Sequence, residues 1–255
     1  MPIDSDSMGA AMTITLSNLS VGYDRHPAVH HISGVFAAGS LTAIVGPNGG
    51  GKSTLLKALI GFLRPMSGHI DFGGITPQQI AYLPQQSEVD RSFPLSVLDV
   101  VLLGFWPKIG AFSAVSSEQR GAAQEALEKT GMGAFAERPI EALSTGQWQR
   151  VLFARLLVQK ARVLLLDEPF AAIDNRTTHD LMHVLQHMQE EGCTIIAVMH
   201  DLPLVREHFP QSLMLARELI GWGSTAEVLC DENLARATQL AGNWVEHAAE
   251  CKKVA

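Results

Sequence analysis

The chain has 255 residues, 47% of them hydrophobic and 18% charged, which excludes a disordered polymer and fits one large domain or a domain with an inserted subdomain. A formal net charge of −7, without any Lys/Arg-rich tract, argues against nucleic acid as the main partner. No segment reaches the ~20 apolar residues of a membrane span, and the acidic start Met1-Pro-Ile-Asp-Ser-Asp has neither the basic nor the apolar region of a secretion signal.

Residues 1–12 read as a loose tail, with Met8 and Met12 as alternative starts. Residues 13–21 alternate in polarity and predict an edge strand, ended by a turn at Gly22-Tyr23-Asp24. Residues 32–45 supply two more strands around Ala38-Gly39. The second of these runs into Gly46-Pro47-Asn48-Gly49-Gly50-Gly51-Lys52-Ser53-Thr54, followed by the apolar-periodic Leu55, Leu56, Ala58, Leu59 and Ile60. Strand, glycine-rich loop and helix, in that order, is the context a phosphate-binding loop requires. Without Cβ atoms in the way, loop amides turn inward around a polyphosphate, and the helix points its positive end at the same anion. Lys52 then reaches the β- and γ-phosphates, and Ser53 offers its hydroxyl to Mg²⁺. A plain glycine-rich turn explains the glycines but not Lys-Ser directly after them.

Arg64-Pro65-Met66-Ser67-Gly68 breaks the chain, and short strands follow at 68–72 and 79–83, the latter ending in Leu83-Pro84-Gln85-Gln86. From 95 to 143 the character turns helical, with Ser117-Glu118 as a start signal and Gly131-Met132-Gly133 as a stop. This block marks an inserted subdomain over about 87–145. A helix (147–159), an apolar strand (162–166), a helix (176–191) and another apolar strand (194–199) come next. Strands alternating with helices predict an α/β fold with a parallel, doubly covered sheet. Residues 226–255 read as a helical, amphipathic tail in which Cys230, His247 and Cys251 are too scattered for a site. With Cys193, the cysteines form no CxxC pair and no disulfide framework, which suits a reducing cytosol.

Val163-Leu164-Leu165-Leu166 delivers two adjacent carboxylates, Asp167 and Glu168, before Pro169. In a parallel sheet ligands sit beyond the carboxyl ends of the strands, so both acids emerge beside the phosphate loop. Neighbouring side chains on a strand point apart, which lets them take different tasks. Asp167 suits Mg²⁺, held through water, and Glu168 suits a general base aimed at the γ-phosphorus. Two acids capping a turn before proline is the bland alternative, and the phosphate loop decides against it. Strand 194–199 delivers His200 to the same edge, where it can meet the γ-phosphate and orient water. Gln85 can contact Mg²⁺ and the lytic water while sitting on the seam with the helical block.

Leu143-Ser144-Thr145-Gly146-Gln147, followed by Gln149-Arg150, completes a set. Together with 46–54, Gln85, 163–169 and His200, it resembles the ATP-binding cassette of ABC transporters, and the match runs over about 13–225. The resemblance implies a P-loop NTPase cassette, with a RecA-like parallel core, an antiparallel β subdomain and the inserted helical subdomain. It also implies ATP and Mg²⁺ as cofactors, with Ser53, Gln85 and Asp167 around the metal. Tyr23 matches the aromatic that stacks on adenine, and Ala171-Ala172-Ile173-Asp174 looks like the family's D-loop. The family signature reads Leu-Ser-Gly-Gly-Gln; here Thr145 replaces the first glycine, leaving Ser144, Gly146 and Gln147 to contact phosphate. Trp148 stands where a polar residue is usual. By the resemblance, that second anion site belongs to another copy's ATP. Two ATPs are then sandwiched in a head-to-tail homodimer, closed by γ-phosphate and opened by hydrolysis.

A lone cassette without membrane spans is expected at the cytoplasmic face of the inner membrane, docked on separate permease subunits and served indirectly by a solute-binding protein. The docking groove is expected between Gln85 and the helical block, with Phe105, Trp106 and Phe112 as candidates for an apolar patch that ordinary core packing explains in part. Residues 90–104 resemble the corresponding stretch of bacterial zinc and manganese importer ATPases, although Phe105-Trp106 stands where arginine is common. ATPases of ferric-siderophore or cobalamin importers are the alternative, as is a soluble cassette ATPase with an assembly role. A translation-type cassette lacks its second cassette or basic linker here. His179, His183 and His187 recur on one helical face opposite Leu181, Val184, Leu185 and Met188, and read as a solvated polar face rather than a metal site, as do His26, His30 and His31.

Overall fold

The computed structural model describes residues 12–24, 26–85, 91–110 and 114–243. Residues 1–11, Gln86, Asp90, Phe112, His247 and Cys251, all named above, lie outside these.

The first hairpin pairs β1 (Ile14–Tyr23) with β2 (His26–Phe36), Tyr23 facing His26. β2 therefore starts at His26, not at residue 32. Bulges hide the alternation that would have shown it: the register shifts repeatedly, Asn18 and His31 take φ of 49°, and the buried residues Val29, Ile32 and Phe36 fall three and four apart. β3 (Leu41–Val45) leads into α1 (Lys52–Leu59), then β4 (Ser67–Asp71) and β5 (Ile80–Leu83). The helical block comprises α2 (Val97–Leu102), α3 (Trp106–Ile109) and α4 (Ser117–Lys129). α5 (Thr145–Gln159), β6 (Val163–Asp167), α6 (Asn175–Glu190), β7 (Thr194–Val198) and α7 (Leu202–His208) follow. Two strands without counterpart in the sequence reading, β8 (Gln211–Ala216) and β9 (Glu218–Ser224), precede α8 (Thr225–Val228) and α9 (Asp231–Asn243).

The nine strands form one sheet in the order β4-β1-β2-β9-β8-β3-β7-β6-β5. β5, β6, β7, β3 and β8 run parallel, whereas β9 is antiparallel to β8 and the β1, β2, β4 arm is antiparallel within itself. β2 joins β9 at a single pair, His30 with Glu218. Every residue of β3, β6 and β7 is buried, as continuous apolar runs covered on both faces should be. Alternate side chains divide between two cores. Leu164, Leu166, Ile195 and Ala197 face the core shared with α2, α4, α5 and α6, while Val163, Leu165, Ile196 and Val198 face the core shared with α1 and the antiparallel arm.

Three helix starts, those of α2, α4 and α5, follow one device. Ser96, Ser116 and Ser144 each cap a helix through a reciprocal capping box, with Asp99, Gln119 and Gln147 as respective partners. The start of α4 is thus set by Ser116, one residue before the expected signal. Val228, Leu229 and Ala237 are buried in the first core, so the described part of the expected tail packs on the sheet. Among the described residues, no helix is long and apolar enough to cross a membrane.

Candidate functional site

Parallel strands deliver their carboxyl ends to one edge, and the loops after β3, β5, β6 and β7 carry the candidate residues there. Gly46 has a φ of 141°, and a Cβ on it would lie 1.9 Å from the Leu215 carbonyl oxygen. Gly51, which caps α1 with a φ of 90°, would press a Cβ to 2.5 Å from Val29 Cγ2. Only glycine lets β3 turn this tightly over β8 and β2. Between them the loop is closed by Gly50 N–H to the Pro47 carbonyl (3.1 Å) and pinned by Arg217 N–H to the Gly50 carbonyl (2.9 Å). Asn48 and Gly49 are exposed at its tip, and Thr54 is buried in α1.

Lys52 is buried, and its Nζ donates to the carbonyls of Gly46 and Pro47, each at 2.9 Å. Burial lowers its pKa, while the charges of Glu168 and Asp167 act in the opposite sense. A buried ammonium folded back on its own loop in this way can release the carbonyls and meet an anion there. Ser53 Oγ donates to Asp167 Oδ1 at 3.0 Å. A hydroxyl and a carboxylate side by side are all-oxygen donors, the set that a hard divalent ion such as Mg²⁺ prefers.

Glu168 follows directly but leaves the strand, with a φ of 51°. Its N–H donates to the Val198 carbonyl at 3.2 Å, and its own carbonyl accepts from Ala171 N–H at 3.1 Å, which fixes this left-handed turn. Glu168 Oε2 accepts from Gln85 Nε2 at 3.0 Å, and Oε1 lies 2.7 Å from His200 Nε2. Three loops from three strands thus meet on one carboxylate. A cavity of about 330 Å³ opens beside Glu168 and His200, walled by Phe170, Ile173, His179 and Leu204. The carboxylate can accept a proton from water there while two nitrogen donors fix its orientation.

The signature residues form a separate cluster. Ser144 caps α5, its Oγ accepting from Gln147 N–H at 3.2 Å and its N–H donating to Gln147 Oε1 at 3.0 Å. A hydroxyl that accepts still has a proton to donate, so Ser144 remains able to bind an anion. A Cβ on Gly146 would sit 3.8 Å from Asp174 Oδ2 and from Thr177 Oγ1. Asp174 caps α6, accepting from Thr177 N–H at 2.9 Å and from Thr177 Oγ1 at 2.8 Å, and these bonds hold its carboxyl below the usual range. Tyr23 is half exposed at the end of β1.

Three connecting residues carry more than their motif positions suggested. Buried Gln149 donates to the Pro169 carbonyl at 2.5 Å, next to Glu168. Arg150 pairs with Asp180 at 2.7 Å and donates to the Thr130 carbonyl at 3.2 Å, joining α5 to α6 and the end of α4. Arg91 reaches the carbonyls of Ile140 and Leu143. No local pattern marks Arg91, because its partners are backbone oxygens about 50 residues away. His179, His183 and His187 are exposed on α6, and the described residues contain no group of three metal-ligating side chains.

Residues 29–171 match the ABC transporter family. A protein named as a probable metal transport system ATP-binding protein in Chlamydia trachomatis is 42% identical over 89% of this chain and 89% of its own length. The manganese transport system ATP-binding protein MntA of Synechocystis is 37% identical over 88% of each chain. The zinc transport system ATP-binding protein TroB of Treponema pallidum is 38% identical over 89% of this chain and 87% of its own. Among solved structures, an inward-facing metal-chelate-type ABC transporter superposes with a TM-score of 0.79 at 29% identity, covering 90% of this chain and 89% of that one. With the sheet, the loop order and these likenesses in agreement, the chain belongs to the ABC transporter family, as an ATP-binding and ATP-hydrolysing subunit.

Proposed function

We propose that this subunit powers import of zinc or manganese from the cytoplasmic face of a membrane, as a head-to-tail homodimer docked on separate permease subunits. The carrying observation for the chemistry is the Glu168 carboxylate held between Gln85 and His200, one residue beyond the Ser53–Asp167 pair. Loop amides from Gly46 to Thr54 and the Lys52 ammonium bind the triphosphate, and Tyr23 stacks on adenine. Ser53, Asp167 and Gln85 would hold Mg²⁺, which would supply charge neutralisation to the triphosphate. Glu168 takes the proton from the attacking water, with His200 and Gln85 holding both in line. Ser144, Gly146, Gln147 and Asp174 of the second copy close the pocket. A metal cargo is supported by relatives named for manganese and zinc transport systems.

The docking face is supported by apolar side chains in water. Phe62, Phe93 and Trp106 are 73%, 66% and 50% exposed, too much for core residues. Phe62 stands edge-on to Tyr82, three residues before Gln85 in the chain. Phe105, by contrast, is half buried against the core.

The test of cargo is uptake of labelled zinc and manganese by cells lacking the subunit, with Glu168→Gln as the inactive control. Loss of either metal's uptake, restored by the wild-type chain only, is expected. Normal uptake of both, with loss of ferric-chelate uptake, would transfer the assignment to the ferric-siderophore class.

A further inference from the structure

Arg91 is the first described residue after the segment that leaves Gln85, and its side chain crosses to the turn before the signature. Its Nη2 donates to the Ile140 carbonyl at 3.2 Å and, at closer range, to the carbonyl of Leu143, the residue before Ser144. Its Cζ lies 5.7 Å from the centre of the Trp148 ring, within reach of a cation–π contact. Trp148 is only 2% exposed, and its indole N–H meets no acceptor among the described residues. The face of the ring, rather than its N–H, is therefore what this site uses.

Backbone bonds extend the same junction. Ile140 N–H donates to the Leu95 carbonyl (3.0 Å), Val97 N–H to that of Arg138 (2.9 Å) and Leu98 N–H to that of Ala136 (2.9 Å). Residues 95–98 and 136–140 thus run side by side. Arg91 fastens the end nearest Ser144. The hydrogen-bond ladder of α5 begins at the Ser144 carbonyl, which accepts from Trp148 N–H at 2.9 Å, so the Leu143 carbonyl stands just outside it. Gln147 Oε1 holds the N–H of that peptide, and Arg91 Nη2 serves its carbonyl and that of Ile140 together, with the guanidinium carbon in cation–π range of the indole.

Resting on the head-to-tail reading above, we propose that Arg91 and Trp148 form a clamp that positions the signature turn. The clamp sets Ser144 and the first amides of α5 for the partner copy's triphosphate. Arg91 is thus a positioning residue, and its loss acts on pairing rather than on nucleotide binding by one protomer.

The test uses the full chain in a Glu168→Gln background, measuring ATP-driven dimerisation by sedimentation and ATP affinity by dialysis on dilute protomers. Arg91→Ala is expected to weaken dimerisation by roughly tenfold or more, the scale of a charge-assisted hydrogen bond, and to leave protomer affinity within about twofold. Arg91→Lys recovers only part, since an ammonium that serves the two carbonyls offers Trp148 no planar guanidinium. A cycle with Ser144→Ala separates positioning from mere stability. If Arg91 works through Ser144, its effect falls below about threefold once Ser144 is gone, whereas a folding defect adds in full. Unchanged dimerisation in Arg91→Ala, full additivity, or a parallel loss of protomer affinity overturns the clamp. Ser144→Arg is the control: if it blocks dimerisation while Arg91→Ala does not, the clamp alone fails. If it also leaves dimerisation intact, the head-to-tail reading fails and the clamp goes with it.

Discussion

Glu168→Gln separates the proposed general base from its scaffold. The carboxamide keeps the volume and tolerates the 51° φ no worse than glutamate. Its oxygen can still accept from Gln85 Nε2 at 3.0 Å, and its amide can donate to His200 Nε2 at 2.7 Å once the imidazole proton moves to Nδ1. Both contacts survive, changed only from charge-assisted to neutral. The fold should therefore lose no more than ~1 kcal/mol, a fall of roughly 2–4 °C in melting midpoint for a chain of this size. Basicity does not survive. Losing a positioned base costs ~10²–10⁴ in turnover, or about 2.7–5.4 kcal/mol of barrier. Phosphate release at saturating ATP measures this, with calorimetry for binding and sedimentation for the ATP-stabilised dimer. Turnover within about tenfold of wild type would refute the role of Glu168. A matching fall in ATP affinity would show instead that the site had collapsed.

Lys52→Ala removes the ammonium that binds the Gly46 and Pro47 carbonyls, and nucleotide affinity should fall by roughly 100-fold or more on the scale of paired charge-assisted bonds; calorimetry giving the wild-type value would reject the loop assignment. Gly46→Ala forces a Cβ to 1.9 Å from the Leu215 carbonyl at a φ of 141°, so the loop must move off β8. A loss of about 2–3 kcal/mol in urea titration is expected, and a wild-type midpoint contradicts the geometry. Burial pushes the Cys193 thiol up to about 12 from 9.0. Because the folded thiol keeps its proton while the unfolded one loses it, stability is full below pH ~9 and falls as pH rises from there toward 12, by at most about 1.4 kcal/mol per pH unit. Cys193→Ala should lack that slope; identical alkaline titrations of the two proteins would show that Cys193 is not the group responsible.

The parts of this molecule that could be read from sequence are those whose chemistry is contiguous. Strand, glycine loop and Lys52-Ser53 stand next to one another, as do Asp167 and Glu168, so spacing alone conveys which atoms meet. β2 and β8 fail for opposite reasons. Left-handed residues at Asn18 and His31 break the alternation of the first hairpin, whereas Leu213, Met214, Leu215 and Ala216 are buried in a run that shows no period at all. Trp148 looked anomalous as a residue type and becomes intelligible only with Arg91 over its ring, a contact that folding creates across the helical block. The positive φ of Glu168 was equally hidden, because no glycine or asparagine advertises the turn.

In the proposed dimer, two neighbouring residues would connect catalysis to the second copy's site. In the proposed head-to-tail dimer Glu168 would face its own protomer's triphosphate and the N-terminus of α5 the partner's, and the Pro169 carbonyl accepts from Gln149 in α5. Arg150 braces the same helix against α6 through Asp180, and Asp174 at the start of α6 lies beside Gly146. A shift of the peptide between Pro169 and Phe170 on hydrolysis would therefore displace α5 as a braced unit rather than bend it, since buried Gln149 donates to the Pro169 carbonyl. Gln149→Leu, similar in size, cuts that connection without touching either phosphate site. Hydrolysis by the wild-type dimer should be cooperative in ATP, and the variant should lose that cooperativity while each protomer keeps its nucleotide affinity. Steady-state rates against ATP concentration read this directly, and a Hill slope unchanged from wild type would mean that the two sites communicate by another route.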